Sequence, residues 1–95
     1  HLLVCNAGVN VLEPFLEASI ESFDLVQNVN VRSIFVMSQI VAKQMVAKGI
    51  RGSIVNISSQ ASHVAFPNHT SYCTSKGAVD QLTRSIALEL GPHGI

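Results

Sequence analysis

The chain has 95 residues, 47% of them hydrophobic and 13% charged, and its six basic and six acidic residues give a formal net charge of zero. Without a basic stripe, neither nucleic acid nor an anionic membrane surface is expected as a partner. No apolar stretch reaches the roughly 18 residues of a membrane span, so no integral membrane segment is expected. The two cysteines lack the spacing of a zinc site, so we expect no metal and a reducing, cytoplasmic location.

The chain begins with a predicted strand. Residues 1–5 form a short apolar run typical of a buried strand, and Asn6, Ala7 and Gly8 follow it as a tight turn. Glycine at the end of that turn would let the backbone bend sharply or approach a ligand closely.

A long helix is predicted next. Ser19 has the character of an N-cap, and the apolar pattern after it indicates a helix over residues 19–48, with Gly49 as the C-terminal stop. Because this is long for one helix, and because asparagine side chains compete for backbone hydrogen bonds, we expect a bend at residues 28–30.

A second strand and a second helix complete the pattern. We predict a strand over residues 53–57, an irregular polar loop, and a helix over residues 71–90. The order strand, helix, strand, helix indicates an α/β fold with parallel strands joined by crossovers. Ligands of such sheets bind at the carboxyl ends of the strands, which here means residues 6–8 and 58–62.

Three side chains in this second half suggest proton transfer. Tyr72 and Lys76 share a helix face about 6 Å apart along the axis, and a cation favours the ionised form of a nearby phenol. Ser59 follows the second strand, where its hydroxyl could hold the oxygen that exchanges the proton. By themselves these residues also fit a ring-packed tyrosine, a solvated lysine and a loop-capping serine, and Ser58 is chemically equivalent to Ser59.

Taken together, the motifs resemble the middle section of a short-chain dehydrogenase/reductase, a family of NAD(P)-dependent enzymes built on a Rossmann-type doubly wound parallel sheet. Residues 5–8 are similar to the family's Asn-Asn-Ala-Gly turn, with Cys5 in place of the first asparagine. Residues 28–30 look like the helix segment with the catalytic asparagine, and residues 57–59 like the strand end with the catalytic serine. Residues 72–76 match the Tyr-x-x-x-Lys signature at the expected spacing.

The resemblance implies that residues 1–95 are the central and catalytic part of a single domain, an internal fragment without the N-terminal cofactor loop and the C-terminal lid. We expect a modest stability effect from Cys5. Without the family resemblance, Asn28 competes with Asn30 for the role of the functional asparagine. The implied roles are catalysis by Asn30, Ser59, Tyr72 and Lys76, cofactor binding by Asn6, Ala7, Gly8, Tyr72 and Lys76, and substrate binding by Ser59, Gln60 and His69, with Phe66 beside them.

The likeness within the family implies NADP(H)-dependent reduction of small dicarbonyls and ketoses such as L-xylulose, with NAD(H) not excluded as cofactor. Two alternatives stay open, namely a broader carbonyl, hydroxysteroid or 3-oxoacyl reductase and a noncatalytic cofactor-binding scaffold. Family members often associate through the two long helices, so we expect a homo-oligomer, a tetramer. A metal at His63 and His69 is not expected because no third ligand is evident.

Overall fold

Two parallel strands lie beside three α-helices in the computed structural model, which describes residues 1–95. A π-helical turn at Asn28–Arg32 joins the first two helices, and short 3₁₀ turns occur at Phe15–Glu17, Gln60–Ser62 and Gly91–His93. The elements in chain order are β1 (Leu2–Cys5), α1 (Ile20–Gln27), α2 (Ser33–Ala47), β2 (Ser53–Asn56) and α3 (Thr70–Leu90).

The parallel pairing of β1 with β2 confirms the predicted α/β arrangement. Leu2 pairs with Ser53 and Cys5 with Asn56, so both strands reach their carboxyl ends at the same edge of the sheet. The amide of Ile57 donates to the carbonyl of Cys5 at 3.0 Å, which continues the pairing one residue beyond β2. The turns after the two strands therefore start side by side.

The predicted long helix is present, with an interruption at the expected place. Ser19 is its N-cap, and the Ser19 hydroxyl accepts a hydrogen bond from the amide of Ser22. At residues 28–32 the backbone forms the wider i to i+5 turn of a π-helix. We predicted that asparagine side chains would cause the bend by competing for the backbone hydrogen bonds of the helix. For Asn30 this prediction was wrong, because its side-chain amide bonds other segments of the chain and not its own helix.

The helix ends follow from local residue types. Gly49 takes the left-handed φ of 64° after α2, as a helix-terminating glycine does. The last helix begins at Thr70, one residue before the predicted start, and ends at Leu90 as expected. None of the helices combines the length and the apolar character needed to cross a membrane.

The apolar core lies where the three helices meet over one face of the sheet. Its most buried apolar side chains are Val26, Ile34, Met45 and Val79. On the strands, burial alternates, and apolar residues such as Leu2 and Val55 remain exposed. Strands that are apolar on both faces are typical of a sheet covered by helices on both sides.

Candidate active site

A cleft of about 560 Å³ lies at the carboxyl ends of the two strands. The turns after β1 and β2 form two of its walls, and the first two turns of α3 form the third. Ala7 and Asn30 do not line it. The sequence-predicted residues that do line it are Asn6, Gly8, Ser59, Gln60, Phe66, His69, Tyr72 and Lys76.

The Lys76 ammonium is the principal charge in this cleft. The residue is only 5% exposed, and its Nζ lies 5.6 Å from the centre of the Tyr72 ring. Nζ donates to the carbonyl of Ile57 at 3.1 Å and has no carboxylate within salt-bridge distance. An ammonium has three N–H donors. Two N–H donors therefore remain for groups in the cleft. Burial has also removed most of the water around this cation.

Gly8 keeps the space beside this ammonium open. A β-carbon added at Gly8 would lie 3.5 Å from Oδ1 of Asn30 and 3.7 Å from Nζ of Lys76. Those are ordinary contact distances, so only a side chain that extends past the β-carbon would fill the cleft. The short turn after β1 thus brings backbone, rather than side chain, against the lysine.

The structure distinguishes the two neighbouring serines that the sequence leaves equivalent. The Ser58 hydroxyl donates to the carbonyl of Lys76 at 3.4 Å and is directed along α3. The Ser59 hydroxyl accepts from the amide of Ala61 at 3.1 Å, which caps the 3₁₀ turn after it. A hydroxyl that accepts from an amide still has its own proton to donate. Ser59 therefore remains the candidate that can hold a substrate oxygen.

Asn30 is fully buried beneath the cleft and ties two of its walls together. Its Nδ2 donates to the carbonyl of Val9 at 2.9 Å and to the Ser75 hydroxyl at 3.0 Å, while Oδ1 accepts from the amide of Val9 at 2.7 Å. The Ser75 hydroxyl in turn donates to the carbonyl of Tyr72 at 2.6 Å. A continuous chain of hydrogen bonds thus runs from the turn after β1 to the first turn of α3.

Sequence analysis missed Val9 and Ser75. Val9 contributes only its backbone, for which no residue type is a signal. Ser75 is a fully buried hydroxyl within the Tyr-x-x-x-Lys segment, and the only sequence signal is that a serine there lies four positions before the apolar Val79. Both N–H donors of the Asn30 side chain are used in this chain of bonds, so neither is left to donate to a ligand in the cleft.

Replacing Asn30 with leucine tests this tie. The change would leave the backbone N–H and C=O of Val9 without their side-chain partner and the Ser75 hydroxyl with its bond to Tyr72 alone, and each unsatisfied buried group costs about 1–3 kcal/mol. We expect the free energy of unfolding of the complete domain to fall by at least about 2 kcal/mol in denaturant titrations. Asn28→Leu, two residues away and exposed, is the matched control. Equal stability of the two variants would contradict the assigned tie.

His69 offers a hydrogen-bond acceptor to the cleft. Its Nδ1 lies 2.6 Å from the carbonyl of Pro67, which fixes the proton on that nitrogen and leaves Nε2 as an acceptor in the neutral ring. The ring lies 5.7 Å from Phe66 and 6.3 Å, edge-on, from Tyr72, centre to centre. The exposed Gln60 also lines the cleft, and the two side chains together suit a ligand with hydroxyl groups.

Comparisons with known proteins find similar dehydrogenases and reductases by both sequence and structure. The family model for short chain dehydrogenases matches residues 1–95. L-xylulose reductase of Mus musculus is 58% identical over 94 residues, which make up 99% of this chain and 38% of that protein. Carbonyl reductase [NADPH] 2 of Sus scrofa is 53% identical with the same coverage. A solved 4-hydroxyisoleucine dehydrogenase complexed with NADH and succinate superposes with a TM-score of 0.97 at 36% identity, over 99% of this chain and 40% of that one. The chain spans about two fifths of the length of these relatives.

Proposed function

The chain belongs to the short-chain dehydrogenase family, and on that premise we propose that it is the central and catalytic part of an NADP(H)-dependent reductase of small dicarbonyls and ketoses such as L-xylulose. The observation that carries the proposal is the convergence of Ser59, Tyr72 and Lys76 on one cleft at the carboxyl ends of the strands. In this proposal residues 1–95 form the middle of a single domain, and the rest of the domain supplies the phosphate-binding loop and the lid.

Tyr72 is the proposed general acid for reduction. As the carbonyl carbon is reduced, its oxygen gains negative charge and takes the proton of the Tyr72 hydroxyl. The Lys76 ammonium, 5.6 Å from the ring centre, stabilises the phenolate that remains. In the direction of alcohol oxidation the same phenolate accepts the proton, so one residue acts as acid and base.

The residues around Lys76 fit a nicotinamide nucleotide. Two unused N–H donors on a buried ammonium suit the paired hydroxyls of a ribose, and at Gly8 no side chain lies between the turn and the cleft. Bound NADP(H) would supply the hydride equivalent for the carbonyl carbon. Asn6, Ala7 and Gly8 would hold that cofactor from the strand side, with Tyr72 and Lys76 opposite. The names of the relatives include both NADPH and NADH.

The substrate side of the cleft supports small polyhydroxylated carbonyl compounds. Ser59 would donate to the carbonyl oxygen and polarise it, as an oxyanion-stabilising donor does. His69 Nε2 and the Gln60 amide would bind neighbouring hydroxyl groups. The similarity to L-xylulose reductase and to a carbonyl reductase supports the same substrate class.

Association through the long helices, to a homotetramer, is also part of the proposal. An apolar groove of about 450 Å³ runs between α2 and α3, lined by Phe35, Val46 and Ile86 among others, with Lys43 and Glu89 at its border. A second copy could cover such a surface. We further propose a cytoplasmic location, which two free thiols support.

The test uses the complete domain with residues 1–95 in place. NADPH and NADH oxidation are followed with L-xylulose and with diacetyl as substrates. We expect turnover of both carbonyls, faster with NADPH than with NADH. Turnover of other carbonyl compounds alone would retain the proposed chemistry and reject the substrate class. Cofactor binding without turnover of any carbonyl would reject the enzymatic proposal.

A further inference from the structure

A tight turn at residues 66–69 leads into α3, whose N-cap is His69. The amide of His69 donates to the carbonyl of Phe66 at 3.3 Å, which closes a four-residue β-turn with Pro67 and Asn68 at its central positions. Asn68 takes the left-handed φ of 63° and is the only residue other than glycine with a positive φ. Proline at the second position and a positive φ at the third are the signature of a type II turn.

The type of this turn decides where the carbonyl of Pro67 points. Type I and type II turns differ by a rotation of about 180° of the central peptide group, here the one between Pro67 and Asn68. In the structure the oxygen of that peptide group lies 2.6 Å from Nδ1 of His69. A type I turn would point the oxygen away from the ring and leave Nδ1 without its partner.

Backbone hydrogen bonds hold the chain after this peptide group. The carbonyl of Asn68 accepts from the amide of Glu13 at 3.1 Å, which attaches the turn to the segment after β1. The carbonyl of His69 accepts from the amide of Cys73 at 2.8 Å, at the start of α3. The central peptide group of a turn can rotate while such flanking bonds stay in place, because the change is confined to the two dihedral angles beside it. Asparagine is one of the few residues that tolerate the left-handed region, so it keeps the turn in type II.

We propose that Asn68 is a positioning residue that favours hydroxylated carbonyl substrates: through its left-handed φ, it fixes the His69 ring with Nε2 as an acceptor in the cleft. The inference rests on the proposed function for the identity of the substrate. His69 lines the cleft and the exposed Asn68 does not, so Asn68 acts on a substrate only through the ring. An acceptor of this kind binds a substrate hydroxyl and offers nothing to a carbonyl compound without one.

The variants Asn68→Val and Asn68→Gly of the complete domain test the proposal. Both remove the asparagine side chain, but valine disfavours a positive φ whereas glycine adopts it freely. For L-xylulose we expect Asn68→Val to raise KM about three- to tenfold, the effect of one lost hydrogen bond, with kcat within about twofold. For diacetyl, which has no hydroxyl group, KM should stay within about twofold. Asn68→Gly should keep the wild-type values with both substrates.

The tautomer of His69 supplies a readout that does not depend on turnover. The bond to the Pro67 carbonyl keeps the proton of the neutral ring on Nδ1. In nitrogen NMR spectra of the histidine-labelled domain, the wild type and Asn68→Gly should show a protonated Nδ1 and an unprotonated Nε2, and His69→Ala identifies the signals of this ring. In Asn68→Val the two nitrogens should share the proton. If the wild-type domain reduces no carbonyl, the proposed function fails, and the tautomer alone decides whether Asn68 positions the ring.

The inference is wrong if His69 has the same tautomer in Asn68→Val as in the wild type, or if Asn68→Gly raises KM for L-xylulose as much as Asn68→Val does. Equal effects of Asn68→Val on diacetyl and on L-xylulose would also contradict it, since they indicate a general disturbance of the cleft. The last check combines Asn68→Val with His69→Ala. The double variant should have the same KM for L-xylulose as His69→Ala alone, whereas additive losses would show that Asn68 acts independently of the ring.

Discussion

Tyr72→Phe in the complete domain is expected to lower kcat for carbonyl reduction by about 10²–10⁴-fold, the usual contribution of a positioned general acid. The ring stays, so its edge-on packing against His69 and its place beside Lys76 are retained. Only the proton donor is removed. Steady-state rates with saturating NADPH measure the effect, and the Kd for NADPH should change far less than kcat.

The neighbouring Cys73→Ser variant is the control for this experiment. Its thiol is half-buried and lies 3.8 Å from the carbonyl of Val64, away from the lysine, so its loss should change kcat only a few-fold. Tyr72 is the only tyrosine of residues 1–95, so no second phenol of this segment can take its place. Retention of more than a few per cent of the wild-type rate by Tyr72→Phe would exclude the acid–base role.

Ser59→Ala is expected to lower kcat by about 10²–10³-fold, as the loss of one oxyanion-stabilising donor does. Ser58→Ala should cost less than about tenfold, because the Ser58 hydroxyl donates to the backbone carbonyl of Lys76 and not to a substrate. The two variants remove the same atom from adjacent residues. The ratio of their kcat values therefore measures the effect of the direction in which each hydroxyl points.

Ser59→Thr provides the complementary measurement. Threonine keeps a hydroxyl that can accept from the Ala61 amide and donate to the substrate, so it should recover at least tenfold of the activity lost in Ser59→Ala. Equal losses in the Ser58 and Ser59 alanine variants would assign both serines to capping of the turn and withdraw the donor role from Ser59.

The sequence predicted those features that depend on residues close together in the chain. The apolar runs of β1 and β2 and their alternation with helices were enough for the parallel pairing. Lys76 lies beside the Tyr72 ring because four residues separate them on a helix, which is a local rule. The N-cap at Ser19 and the stop at Gly49 are local in the same sense.

Other features depend on contacts that only the folded chain creates. The bond from Asn30 to Ser75 joins residues 45 positions apart, and that from Asn30 to Val9 joins residues 21 apart. No local pattern predicts which buried hydroxyl meets which amide. The 3₁₀ turn at Gln60–Ser62 was predicted as irregular loop, because no local residue pattern marks so short a turn, which the Ser59 hydroxyl caps.

The π-helical turn between α1 and α2 is equivalent to a one-residue insertion into a continuous helix. In an uninterrupted α-helix, residues eight positions apart lie about 80° apart around the axis, at 3.6 residues per turn. Val26 and Ile34 are eight positions apart, yet both are buried. In an uninterrupted α-helix, two side chains align in this way when they are seven positions apart. The extra residue therefore leaves the helix faces in phase on either side and confines its effect to one turn. If one residue were deleted there, the same helix faces would still be buried, but the Asn30 amide would point in a different direction.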